Sequence, residues 1–331
     1  MSPLFARGLS ALMLFCALGL PAQAGPLRDW LAERRTAAEA ELASDEASGE
    51  PYSAVAGVRV LRDLAYGASE RERFDVYLPT QASPRWVIVM VHGGAWRAGD
   101  KAARPVVQNK VARWVPRGAV LVSLNYPLLP EAGPLQQAQA VARGLAAVQQ
   151  RANAWGVDAS QLVLIGHSAG AHLVALLSAS PKLAQEAGAA PWLGSVVLDS
   201  AGLDMVSLMQ GKHYRFHERA FGADPAYWQA TSPYHQLSRE AVPMLITCST
   251  ERADQPCIQA RNFVKKLRSM GGIAGVHEAA LSHRKMNSYV GLAGDYTFVI
   301  EGFISQCLGV NVKKHSQLNR GGADDVISEC A

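Results

Sequence analysis

The chain has 331 residues, 49% of them hydrophobic and 18% charged, a balance that excludes an intrinsically disordered protein. Its formal charge of +4, from 32 basic and 28 acidic residues, is spread without long runs and offers no basic strip for nucleic acid. A mean hydropathy of +0.02 excludes a polytopic membrane protein, and that length suits either two domains or one large α/β body.

The first element is an address. Arg7 precedes an apolar run over 9–20 interrupted only by Ser10, Pro21 breaks it, and Ala22-Gln23-Ala24 places small residues where a signal peptidase reads. Residues 1–24 are therefore expected to be a secretory signal peptide. Its apolar core of roughly 12 residues falls short of the ~20 needed to span a bilayer, so no stable membrane insertion is expected after cleavage. The mature protein would be periplasmic or secreted.

Residues 25–50, rich in Ala and Glu, read as an exposed helical lead-in and linker. The body is expected over 51–308, with a polar tail over 309–331. Alternating apolar residues over 58–64 and 73–78, separated by a turn at Gly67, read as an antiparallel hairpin. Short β-branched runs follow at 86–91, 119–124, 162–165, 195–198, 244–247 and 273–277. Helical patterns lie near 104–116, 135–154, 169–179, 257–270 and 291–306. Near-continuous apolar strands alternating with helices point to a mainly parallel sheet covered on both faces.

The strand at 86–91 ends in His92-Gly93-Gly94-Ala95-Trp96. A glycine-rich loop there can turn its amides inward, and Gly94 or Ala95, with Gly93 in the same loop, is expected to serve an oxyanion beside the N–H of Ala169. The strand at 162–165 runs into Gly166-His167-Ser168-Ala169-Gly170 and then a helix. That context makes G-x-S-x-G a nucleophile elbow with Ser168 at its tip. One turn further, His172 reads as a packing residue.

Residues 202–240 break the rhythm and read as a short lid insertion rich in aromatics, His and Met. Trp96, Tyr214 and Trp228, with Phe216 and Tyr227, are candidates for a substrate pocket or for packing the lid. His213 and His217 stand at i, i+4 without a third ligand, so no metal site is expected. After the strand at 244–247, Asp254 is the preferred acid because Gln255-Pro256-Cys257 opens a helix behind it, with Glu251 as the alternative. His283 follows the strand at 273–277 and is the candidate base. The order Ser168, Asp254, His283 is that of α/β-hydrolase triads.

Loss of the leader removes Cys16 and leaves Cys248, Cys257, Cys307 and Cys330. Four cysteines in an oxidising compartment allow three connectivities, and pairing sequence neighbours favours Cys248–Cys257 and Cys307–Cys330 over buried thiols.

From the hairpin to about Gln306 the chain resembles the α/β-hydrolases of esterase/lipase type. Within them it is most similar to carboxylesterases carrying His-Gly-Gly-x-Trp, a group that includes kynurenine-formamidase-like enzymes and bifunctional feruloyl/acetyl-xylan esterases. The resemblance rests on Phe74-Asp75-Val76-Tyr77-Leu78-Pro79, on residues 92–96 with Gly99-Asp100-Lys101, and on Asn125-Tyr126. Residues 166–170, Ser232-Pro233, and His283 with Asn287 complete it. It implies an eight-stranded sheet, no cofactor, and an acyl-enzyme on Ser168 formed from a small or aromatic carboxylic ester. An arylformamidase acting on N-formylkynurenine, or a non-catalytic binding protein on the same frame, are the alternatives.

Overall fold

In the computed structural model, which describes residues 52–53 and 56–309, the apolar runs form one eight-stranded sheet in the order β1-β2-β4-β3-β5-β6-β7-β8. The strands are β1 (Val58–Ala65), β2 (Arg73–Pro79), β3 (Trp86–Val91), β4 (Ala119–Leu124), β5 (Leu162–His167), β6 (Gly194–Leu198), β7 (Met244–Ser249) and β8 (Ala274–Ala279). The hairpin is as expected, with β1 antiparallel to β2 from Val58↔Pro79 to Ala65↔Arg73. β2 also runs antiparallel to β4, and every remaining pairing is parallel. The leader (1–24), the lead-in (25–50), the tail from 310 and Cys330 lie outside the described residues.

The central strands β4, β5, β6 and β7 are buried along their whole length. Successive side chains point to opposite faces, so both faces of each strand need cover. On one face Val89, Val122, Leu164 and Ile246 meet Val141, Leu145, Leu173, Leu177 and Phe263. These come from α2 (Pro134–Ala152), α3 (Ala169–Ala179) and α9 (Pro256–Ser269). On the other face Ile88, Met90, Ile165 and Val196 meet Val107, Val111, Ile300 and Phe303, carried by α1 (Arg104–Trp114) and α11 (Asp295–Cys307). The last helix begins four residues later than its sequence pattern suggested, because 290–292 form a bridge and a turn.

Residues between β6 and β7 fold into short helices: α5 (Met205–Gln210), α6 (Arg215–Phe221), α7 (Pro225–Ala230) and α8 (Pro233–Gln236). Two shorter elements complete the set, α4 (Lys182–Glu186) after α3 and α10 (His283–Ser288) after β8. Among the described residues no helix is long and apolar enough to cross a membrane.

One buried ion cluster ties the loop after β3 to the sheet. Asp75 of β2 is fully buried, and Arg62 and Lys101 reach it at 2.6 and 2.9 Å. A lone buried carboxylate would be costly, so two cations with the Asp63 N–H at 2.9 Å make its burial tolerable.

Candidate active site

The elbow follows from two glycines that have no room for a side chain. A Cβ on Gly166 would stand 2.4 Å from the Gly170 carbonyl oxygen, and one on Gly170 would stand 2.3 Å from those of Val91 and His92. Their absence lets α3 press against β5 and against the end of β3. Ser168 pays for that approach with a left-handed φ of 54°, a conformation that costs a non-glycine residue ~1–3 kcal/mol. Its N–H donates to the Leu198 carbonyl at 2.9 Å, and its side chain is half-buried at the N-terminus of α3. First-turn amides such as that of Ala169 have no partner within their helix and lie at its positive end.

Backbone strain gathers around this point. Ala95, Trp96, Ser168 and Asp199 all have positive φ, at 51°, 58°, 54° and 55°, and all four line one pocket. Ala169, Phe216, His217 and Arg252 also line it. The loop bearing Ala95 is held from several sides. Gln137 donates to the Trp96 carbonyl at 2.8 Å, and the Tyr126 hydroxyl donates to the His92 carbonyl at 2.8 Å. The Trp96 indole donates to His172 Nδ1 at 3.3 Å, while His172 Nε2 donates to the Thr231 carbonyl at 2.8 Å. His172 therefore links α3, the loop after β3 and the segment before β7. Burial pushes its pKa down to about 4, which keeps the ring neutral with Nδ1 free to accept. Gly93 and Gly94 lie within the same turn but are not on the pocket wall.

His283 opens α10 and is 3% exposed. Its Nδ1 lies 2.6 Å from Asp199 Oδ2, and its buried Nε2 has no hydrogen-bond partner among the described residues. His167 Nε2 donates to the His283 carbonyl at 3.0 Å, and the two rings lie 4.5 Å apart. Burial first, then Arg252 and His167, push the His283 pKa down to about 4 against the pull of Asp199. Burial raises Asp199, but Arg252, the His283 hydrogen bond and the Ser249 amide outweigh it and hold this carboxyl well below its usual range.

The carboxylate that contacts the candidate base is thus Asp199, at the end of β6, and not Asp254. Both carboxylate oxygens of Asp254 are instead taken by Arg252, with Nε at 2.9 Å from Oδ1 and Nη2 at 2.5 Å from Oδ2. Glu251 is exposed. One signal for Asp199 was present in the chain, since it is the first acidic residue after the apolar run of β6, where strand ends of an α/β sheet gather functional groups.

The pocket candidates divide. Trp96 lines the pocket, while Tyr214 and Trp228 do not. Tyr214 stacks on Phe216 at 5.5 Å, and Trp228 donates its indole N–H to the Gly222 carbonyl at 3.1 Å. Phe216, another candidate, and His217, which was not one, line the pocket instead, because α6 turns that side inward. Among the described residues no group of three metal-ligating side chains occurs. Cys248 and Cys257 form the expected disulfide, closing the loop that carries Arg252 and Asp254. Cys307 lies half-buried at the end of α11.

With this geometry, residues 74–267, more than half of the chain, match the BD-FAE family model. The chain belongs to the BD-FAE family. Its relatives include Esterase LipQ of Mycobacterium tuberculosis, 30% identical over 228 residues that cover 63% of this chain and 53% of that protein. Kynurenine formamidase of Danio rerio is 35% identical over 125 residues, covering 36% of this chain and 39% of that one. This BD-FAE family member spans about half the length, or less, of the curated relatives it matches first. A truncated carbohydrate esterase from gut microbiota superposes with a TM-score of 0.62 at 17% identity, over 80% of this chain and 100% of that one. That likeness is one of fold, and with the sheet order it makes this an α/β-hydrolase fold.

Proposed function

We propose that the protein is an exported serine carboxylesterase acting on small or aromatic esters. The observation that carries the reading is a neutral His283 whose Nε2 has no partner among the described residues, oriented at 2.6 Å by Asp199, which lines the same pocket as the strained Ser168. In this reaction His283 Nε2 takes the Ser168 proton as Oγ attacks the ester carbonyl. The N–H groups of Ala169 and of the 93–95 loop hold the oxyanion, each typically worth ~3–4 kcal/mol of barrier. The imidazolium, its charge offset by Asp199, returns the proton to the leaving alkoxide, and water releases the acyl group through the same base. Trp96 and Phe216 on the wall favour a flat or short acyl group over a long chain. Ser168→Ala is expected to abolish p-nitrophenyl acetate hydrolysis and labelling by a fluorophosphonate; a variant that keeps most activity overturns the reading. Absence of labelling in the wild type would favour a binding protein on a hydrolase frame.

A second reading, amide hydrolysis of an N-formylkynurenine-like substrate, is favoured by the likeness to kynurenine formamidase. Turnover of N-formylkynurenine above that of short acyl esters would select it. Export is supported by the apolar run ending at Ala22-Gln23-Ala24 and by a disulfide suited to an oxidising compartment. A periplasmic or secreted chain beginning at Gly25 is the expected product; a cytoplasmic chain retaining Met1 refutes it.

A further inference from the structure

Arg252 is 10% exposed and lies on the pocket wall, yet no step of the proposed reaction uses it. Its contacts divide its head into two jobs. Nε and Nη2 grip Asp254. Nη1 reaches the Asp199 carbonyl oxygen at 2.9 Å and Asp199 Oδ2 at 3.0 Å, and lies 3.1 Å from His283 Nδ1. Nη1 carries two hydrogens, and the two Asp199 oxygens take both. Its approach to His283 is therefore that of a cation beside a ring, with the Nδ1 proton left to Asp199.

We propose that Arg252 is a positioning residue of the reaction: it seats the strained Asp199 and keeps the resting imidazole of His283 uncharged. The seat is complete. Asp199 Oδ1 accepts from the Ser249 N–H at 2.8 Å, Oδ2 accepts from Arg252 and His283, and the carbonyl held by Arg252 belongs to a residue at φ 55°. The charge argument follows from what faces His283. Asp199 comes from the end of β6, Arg252 and, behind it, Asp254 from the loop after β7, and His167 from the end of β5. A buried carboxylate 2.6 Å from an imidazole, alone, would hold the ring protonated, and a protonated ring accepts no proton from serine. Arg252 takes a share of the Asp199 field and removes that bias. Asp254, the residue that chain order pointed to as the acid, then serves as the brace that holds Arg252. The disulfide between Cys248 and Cys257 closes the loop on which both sit.

This inference rests on the serine-hydrolase reading, and the experiment separates the two. Wild-type protein and Ser168→Ala are first compared on p-nitrophenyl acetate and with a fluorophosphonate; failure there sinks the reading itself. With that step passed, kcat/KM is followed against pH for Arg252→Gln and Arg252→Lys. Arg252→Gln is expected to move the acid limb upward by about one pH unit or more and to lower plateau kcat by about tenfold or more. Arg252→Lys keeps the cation but loses the two-sided fork, so its limb stays at the wild-type position while plateau kcat falls by about tenfold. A folded Arg252→Gln with a wild-type limb overturns the proposal. If the Gln variant does not fold, a Lys variant with undiminished kcat overturns it equally.

Discussion

Exchanging each candidate acid for its amide distinguishes two readings of this site. Asp199→Asn removes the acceptor that lies 2.6 Å from His283 Nδ1. It also releases a hydrogen of Arg252 Nη1, already 3.1 Å from the same ring atom. With the carboxylate gone, Arg252 donates to Nδ1, the ring proton moves to Nε2, and the base faces serine with its proton already in place. Loss of the working tautomer in a serine triad costs about 10⁴ in kcat, or about 5 kcal/mol of barrier. Asp254→Asn leaves the Asp199–His283 contact intact and only weakens the brace on Arg252, so its kcat is expected to fall by no more than about tenfold. The assay is steady-state hydrolysis of p-nitrophenyl acetate, with active sites counted by burst titration and folding checked by circular dichroism. Equal losses in the two variants, or a folded Asp199→Asn that keeps a tenth of wild-type kcat, would refute the reasoning.

Acid should both spare activity and weaken the fold. His283, His172 and His217 are pushed down to about 4, 4 and 3, burial being the largest cause in each. A lowered imidazole remains neutral, and thus a competent base, well below the ordinary value of about 6.5, so kcat/KM is expected to hold to about pH 5; a limb near 6.5 contradicts this. The same groups bind protons more readily in the unfolded chain, so their contribution to stability declines as pH falls from about 6.5 toward 4. Each is worth on the order of 3 kcal/mol at the acid end, and a chemical-denaturation series that shows no loss over that window counts against it. Gly170→Ala, whose Cβ would meet two backbone oxygens at 2.3 Å, is expected to yield little folded protein; a soluble, active variant refutes the close approach drawn here.

Much of this site is local in the chain and therefore legible from it. A buried strand, two glycines flanking a serine, and a helix are consecutive, so residues 162–179 specify the elbow by short-range sterics alone. His283 is legible for a related reason, since a histidine in the loop after the last strand has few other places to go. The parallel sheet follows from apolar runs separated by helices, and the hairpin from two alternating segments about a turn.

The acid and the pocket wall have another origin. Asp199 and Asp254 each follow a strand whose C-terminal end opens on the site, and composition and spacing do not rank them. The ranking comes from Arg252, whose fork spans both carboxylates once β6 and β7 lie side by side, and from the disulfide that closes its loop. Likewise, Phe216 and His217 reach the pocket while Tyr214 and Trp228 do not, because the packing of short helices decides which aromatic faces inward. The sequence by itself therefore determined the fold class and the candidate nucleophile and base, which depend on neighbours in the chain. Tertiary structure alone decided the acid and the lining, because both depend on side chains from separate loops competing for the same few ångströms.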